Sequence, residues 1–488
     1  MQRTGSFCLS VFFSMKTFGK IIKWFCIVFA ALFLCYCLVG IIPPACHKHI
    51  TGDAVSHAKS ITYTANDTGP DRIHFVEDND EAMAWRLRLI DNAEHDILLT
   101  TFTWQEDGVG REITAALLRA AERGVHVHLL VDGYYGWKFL TGNPYMDALM
   151  ESPNVHLRFY NRFNYSKDWK LHYRLHDKIL VADDEWCILG GRNIQNKFLG
   201  HEGRPEERIR DFDLILRETE AGRKDSRAAI PQVQRYFWTL WSQPNHKDAV
   251  LATEKAERNR ASEELHRLAG KLPARYPAAY APLDWGSISV PTRKCTLITG
   301  DPSPTRKPPI LGARLLELMK TGKHITIQTP YLMMDRTMYR AITDLNRGRQ
   351  VDIITNSAAT GSNSLGACDY LNQKKNILKT GSTVFENNGR ATHAKAITID
   401  DRLTVIGSCN MDMRSMYLDT ELMLAVDSPE LNAVVRRGME ELKSQSLQIS
   451  ANGPDIPGSR YVKVERTGEK RLGYTLLRGV IWIIRPYL

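Results

Sequence analysis

Apolar positions alternate between two spacings along this chain. Residues 81–93 carry Met83, Trp85, Leu87, Leu89 and Ile90 at helical intervals, and 96–102 (Asp-Ile-Leu-Leu-Thr-Thr-Phe) then reads as a buried strand. An Ala- and Leu-rich helix is predicted over 112–122, ended by Arg123-Gly124, with the next strand at 125–131 before Asp132-Gly133. Strand, helix, strand in that order predicts a parallel pair joined by a right-handed crossover. The same syntax returns later: strand 324–329, helix 337–346 ended by Arg347-Gly348, strand 351–355, a helix around 371–378 and a strand at 383–386. The expected fold class is α/β, as two α/β sandwich halves about a pseudo-twofold axis with one shared site at the seam.

Ahead of this lies a different pattern. Trp24 to Ile42 is an unbroken apolar run, long enough at about 1.5 Å per residue to cross roughly 30 Å of hydrocarbon as a helix. Arg3, Lys16, Lys20 and Lys23 precede it, and only Lys48 and Lys59 follow closely. Positive-inside asymmetry then predicts a single-pass anchor in the cell membrane, amino end cytoplasmic, catalytic part extracytoplasmic. A cleaved signal peptide is the alternative, but the run exceeds an ordinary apolar signal core and Pro43-Pro44-Ala45 is a poor cleavage signature. Met15, opening a basic region before the span, is an alternative start that amino-terminal sequencing would test.

The expected organisation is a cytoplasmic amino terminus and transmembrane helix (1–45), a polar tether (46–72), a first half (73–249), a linker (250–290), a second half (291–448) and a basic amphipathic tail (449–488). In the tail, Tyr474, Leu477, Ile481 and Ile484 fall at helical spacing beside Trp482. That helix could lie in a membrane interface, with Arg478 and Arg485 snorkelling, or dock on the protein's own core.

The chemistry sits in an internal repeat. His176-Asp177-Lys178 leads through an apolar run to Asp183, then to Gly190-Gly191-Arg192-Asn193; His393-Ala394-Lys395 leads to Asp400 and Gly407-Ser408-Cys409-Asn410. Each defining residue recurs 217 positions on (393 − 176, 395 − 178, 410 − 193). A phosphodiester is anionic and resists nucleophiles, so its cleavage needs cationic and N–H donors, a nucleophile and an acid for the leaving alcohol. Lys178, Lys395, Asn193 and Asn410 suit phosphate binding without a metal or other cofactor. His176 and His393 suit attack and proton transfer, since imidazole takes either state near neutral pH and two close rings titrate as a pair. Each ring needs an acceptor to set its tautomer, and Asp213 and Glu421, at the starts of apolar runs, are the candidates. Asp183 and Asp400, each followed by a second acid, read as turn-holding members of the motif.

The doubled pattern H-x-K-x4-D-x6-G-[GS]-x-N resembles the phospholipase D superfamily. The resemblance implies a covalent phosphohistidine and, by the usual order of roles, His176 as nucleophile and His393 as acid. Gln328-Thr329-Pro330-Tyr331, Ile354-Thr355-Asn356-Ser357 and the run Gly407 to Ser415 are similar to bacterial cardiolipin synthases, most of all the C type, over roughly 75–450. Asp419, where those enzymes commonly show Asn, and the long amino-terminal span depart from that pattern. Phosphatidyl transfer from one phospholipid to phosphatidylglycerol is implied, with phosphatidylglycerol or phosphatidylethanolamine as donor and the membrane as partner. Whether an accessory protein is needed stays open. A phospholipase D-type hydrolase uses the same residues; a superfamily phosphodiesterase or nuclease, or a decayed scaffold, are further alternatives.

Charge narrows this little. Lys plus Arg exceed Asp plus Glu by 64 to 55, a net +9 that favours any polyanion. No aromatic and basic nucleic-acid module is visible, so nucleic acid is not expected as a partner. Nine cysteines are scattered without metal-ligand spacing, and Cys409 stands where the first copy has Arg192.

Overall fold

Strand runs such as Asp96–Thr101 and Gln350–Asn356 are apolar on successive residues rather than alternating, and both are buried almost throughout. That is the pattern of strands covered on both faces. The computed structural model describes residues 69–162, 170–202, 205–218, 225, 228–305, 307–465 and 468–488, with 20, 22–38, 42 and 46 near the amino end.

The first half contains β1 (Arg72–Val76), α1 (Asn79–Asn92), β2 (Asp96–Thr101), α2 (Gly108–Glu122), β3 (His126–Asp132), β4 (Val155–Tyr160), β5 (Ile179–Ala182), β6 (Trp186–Gly190), β7 (Asp213–Arg217) and α3 (Ala229–Trp241). After α4 (Lys255–Ala269), the second half contains β8 (Lys294–Thr299), α5 (Ile310–Met319), β9 (His324–Gln328), α6 (Arg336–Asn346), β10 (Gln350–Asn356), α7 (Ser364–Leu378), β11 (Thr383–Asn387), β12 (Ala396–Ile399), β13 (Leu403–Gly407), β14 (Leu422–Asp427) and α8 (Pro429–Ser444). A last helix, α9, covers Gly468–Ile484.

The sheets share one strand order, β4-β3-β2-β5-β6-β7-β1 in the first and β11-β10-β9-β12-β13-β14-β8 in the second, each extended to nine by short edge strands. β2, β3 and β4 are parallel, as are β9, β10 and β11; the other pairings within these two series are antiparallel. Side-chain caps fix where the crossover helices start: Asp78 accepts from the amides of Asp80 and Glu81, Asp107 from Gly110, and Asp335 from Met338.

One buried cluster joins the halves. Val233 and Phe237 of α3 and Val435 and Met439 of α8 pack with Val181 and Leu189 of one sheet and Ile406 and Leu424 of the other. The outer faces are closed by α1 and α2 on the first sheet and α5 and α6 on the second. The expected linker is part of the first outer layer: Ala261 and Leu265 of α4 are buried there, and Tyr276 donates to Glu112 at 2.8 Å. The tail helix docks by one face, with Tyr474 and Ile481 buried against Cys368 of α7 and Arg485 paired to Asp369 at 2.8 Å; Leu472, Leu476, Val480 and Trp482 stay exposed.

The expected membrane span stands differently. Residues 22–38 are helical with apolar side chains such as Trp24, Phe25 and Leu32 exposed. Among the described residues no helix is long and apolar enough to cross a membrane. The expected span runs on into 39–41, which with 1–19 and most of the tether lie outside the described residues.

Candidate active site

Three neighbouring strands in each half deliver the site. His176 and Lys178 lead into β5, Asn193 follows β6, and Asp211 precedes β7; His393 and Lys395 lead into β12, Asn410 follows β13, and Glu421 precedes β14. Backbone bridges tie these ends across the halves, Leu175 to Thr420 and Arg210 to Thr392, with the His393 amide donating to Arg210 at 2.7 Å.

The side chains exchange partners. Nδ1 of His176 meets Glu421 Oε1 of the second half at 2.8 Å, and Nδ1 of His393 meets Asp211 Oδ2 of the first at 2.7 Å. With Nδ1 occupied, each ring has Nε2 free for chemistry. Glu421 is itself held by the hydroxyl of Ser415, at 2.6 Å, and that of Ser408. Among the described residues Asp211 has no hydroxyl partner of this kind: the residue equivalent to Ser408 is Gly191, where a Cβ would come within 2.2 Å of Asp211 Oδ1. Phe102 lies edge-on to His176 at 4.9 Å, and Phe198 sits 5.0 Å from His393.

Asp213, expected to orient a histidine, does not. Its carboxylate takes Arg86 Nη1 at 2.7 Å and lies 3.2 Å from Arg192 Nη1. Sheet register shows why: Gly190 pairs with Asp213 while Gly407 pairs with Met423, so the counterpart of Glu421 is Asp211, two residues earlier. Asp183 and Asp400 sit at the far ends of β5 and β12, away from the imidazoles. Each has positive φ, 56° and 51°, and accepts backbone N–H groups entering the neighbouring strand: Glu94, His95 and Asp96 for Asp183, Lys323 and His324 for Asp400. They hold turns and touch neither imidazole.

Lys178 and Lys395 each donate to the carbonyl of their own motif histidine, and Lys395 Nζ is 3.0 Å from His393 Nδ1. The amide oxygens of Asn193 and Asn410 are buried with no hydrogen-bond partner among the described residues. Lys307, which sequence reasoning missed, is also buried, and its Nζ has no such partner among the described residues. It belongs to no repeat and follows Arg306 in a proline-rich loop, so only the fold identifies it.

Burial governs the electrostatics. It lowers His176 well below the usual imidazole range, aided by Lys178 and Lys395, and takes His393 down to about 3, with Lys395 adding and Asp211 opposing. Burial also lowers Lys178 to about 7 and Lys395 to about 8. The two carboxyls diverge. Burial pushes Glu421 up to about 8 despite Lys178, whereas at Asp211 the effect of burial is outweighed by His393 and Lys395, which hold it well below the usual carboxylate range.

Arg414 forms an ion pair with Asp419 at 2.8 Å, which accounts for an acid at that position, and donates through Nη1 to the Tyr487 carbonyl. The profile of the family described as "Cardiolipin synthase, PLD-like domain" matches residues 87–241 and 315–443, more than half of the chain and both halves of this site. The chain belongs to that family. Among curated relatives, the protein named cardiolipin synthase C from Escherichia coli (strain K12) is 26% identical, over 74% of this chain and 82% of the relative. A protein named cardiolipin synthase from Clostridium perfringens (strain 13 / Type A) is 24% identical over 74% of this chain and 67% of its own length. Among solved structures, the phosphatidylserine synthase of Haemophilus influenzae Rd KW20 covers 89% of this chain and 99% of its own with a TM-score of 0.61 at 16% identity, a likeness of fold.

Proposed function

We propose that this protein is a membrane-anchored phosphatidyltransferase that makes cardiolipin from phosphatidylglycerol and a second phospholipid. The observation that carries the reading is the reciprocal pair of dyads, His176–Glu421 and His393–Asp211, with two lysines and two asparagines beside them. Related by a pseudo-twofold axis, the halves form one site with two imidazoles of opposite duty.

Nε2 of His176 attacks phosphorus while Lys178, Lys395, Asn193 and Asn410 neutralise the non-bridging oxygens. The bond from phosphorus to the headgroup oxygen breaks, and Nε2–H of His393 gives its proton to the departing alcohol, glycerol or ethanolamine according to donor. The phosphatidyl group is then on His176. A glycerol hydroxyl of phosphatidylglycerol next passes its proton to His393 and attacks phosphorus; the P–N bond breaks and cardiolipin leaves. The divergent carboxyls support this division of roles. Asp211 stays anionic and stabilises imidazolium on His393 once the phosphodiester anion offsets Lys395, whereas Glu421, pushed up to about 8, gives less support to a charged His176. Asp183 and Asp400 act as turn-holding residues of the motif.

The helix over 22–38 and the exposed apolar face of α9 support residence at a membrane, with the catalytic part outside the cytoplasm by the positive-inside argument. The test is lipid mass spectrometry on vesicles of phosphatidylglycerol, with and without phosphatidylethanolamine, incubated with the protein or its His393→Asn variant. Cardiolipin made only by wild type supports the reading, and its dependence on phosphatidylethanolamine names the donor. Phosphatidic acid in its place would make the protein a phospholipase D-type hydrolase.

A further inference from the structure

The two sheets have equivalent spaces on their outer faces, filled in opposite ways. Behind β2 and β5, Arg86 and Arg192 converge on Asp213, and Arg192 also donates to the carbonyls of Phe198 and Glu77; about 20 Å³ of room is left. Behind β9 and β12 that network is gone. Cys409 replaces Arg192, Met423 replaces Asp213, and α5 contributes Gly312 and Ala313 where α1 contributes Arg86. A cleft of about 120 Å³ opens instead between α5, α6 and the sheet, and its lining includes Gln328 and Asn410.

We propose that this cleft is an acyl-chain subsite, which takes part of one fatty-acyl chain of a phospholipid whose phosphate lies among Lys178, Lys395, Asn193 and Asn410. The inference rests on the phosphatidyl-transfer reading. Continuity is the first argument: Asn410 belongs both to the phosphate cradle and to the wall of the cleft. Chemistry is the second. Apart from Gln328, Thr329, Thr337 and Asn410 the walls are carbon and sulfur, from residues such as Leu316, Ile327, Ala341 and Ile342 with Met338 and Met416, and a headgroup alcohol packed along them would leave most of its hydroxyls unpaired. Unbranched methionines adapt to guests of varied shape, which suits a flexible chain. Cys409 adds no charge, because burial pushes its thiol well up. Size is the third argument: engineered apolar cavities of about 150 Å³ accept a benzene-sized guest. A cleft of about 120 Å³ therefore holds a few methylenes of one chain, while the rest of the lipid stays in the bilayer.

Ala341→Trp tests this, since Ala341 is a partly exposed wall residue of α6 with no place in the chemistry. Dioleoyl- and dihexanoyl-phosphatidylglycerol would be compared as substrates. Filling the cleft is expected to raise KM for the long-chain lipid about tenfold, the loss of roughly two buried methylenes, at little cost to kcat. The short-chain lipid should be nearly unaffected. An equal effect on both lipids, or none, would overturn the subsite. A second measurement needs neither the variant nor turnover: wild-type protein is irradiated on vesicles of phosphatidylglycerol carrying a mid-chain diazirine, and adducts are mapped. Adducts on Met338 and Met416 support the cleft, even if no cardiolipin forms and the transferase reading fails. Adducts confined to other segments, with cardiolipin forming normally, would leave the reading standing and sink the subsite.

Discussion

Both halves place His, Lys and Asn at matching strand ends, yet the residues one layer back have parted. The first half supports its motif with a buried ionic plug, Arg86–Asp213–Arg192, and a bare Gly191 against Asp211. The second supports its own with Ser408 and Ser415 on Glu421 and leaves an apolar cleft where the plug would be. On the proposed mechanism the reacting groups tolerate little change, because both imidazoles must address one phosphorus. The shell behind them is closed by ion pairs in one half and left open as a cleft in the other.

The comparison breaks most sharply at the histidines. His176→Ala is expected to abolish the phosphoenzyme and lower turnover by roughly 10⁴-fold or more, whereas His393→Ala should leave a trapped phosphoenzyme; acid-quenched radiolabel on the protein reads both. The reverse pattern would exchange the roles of the halves. Next come the two acids of the first half. Asp211→Asn should lower kcat by about 10²- to 10⁴-fold with stability little changed, since it removes the partner of His393. Asp213→Asn should do the opposite, costing about 3–5 kcal/mol in denaturant unfolding by leaving two buried arginines without their anion, with kcat of the folded fraction preserved. If Asp213→Asn is the one that silences the site, the assignment from the register is wrong.

A smaller effect is expected with pH. In the proposed mechanism Lys178 and Lys395 bind the anionic phosphate only as cations, and burial has brought them down to about 7 and about 8. Raising pH through that window removes charge, so kcat/KM should fall on the alkaline side between about 7 and 8, not near the usual lysine range. A flat profile to pH 9 would show that the lysines stay charged. The least effect is expected from a chelator, which should leave turnover intact; loss restored by a divalent ion would overturn the charge-neutralising role given to the lysines and asparagines.

Much of this was legible because it is local. The strand and helix syntax, the repeat and the paired His, Lys and Asn residues each lie within a few positions of their own signal. Asp211 was not separable from Asp213 in Arg210-Asp211-Phe212-Asp213-Leu214, because only the pairing with β6 decides which acid reaches an imidazole. Strands β1 and β8 escaped notice for a similar reason: the alternation in Arg-Ile-His-Phe-Val spans only four residues, and the strand is fixed by pairing with β7, far along the chain. The mismatch of Arg192 with Cys409 was visible as letters. Its meaning needed Asp213, Arg86 and Met423 in space.

The crossed dyads also bear on how the chain is made. Synthesis delivers His176, Lys178 and Asn193 long before Glu421 exists, and the acid that completes His393 has by then been waiting in the first half. If His176 is the nucleophile as proposed, a nascent chain carries it without its carboxylate until Glu421 has been made. On the proposed roles the site is complete only when the second sheet has formed, and a chain truncated before Glu421 is expected to be inactive.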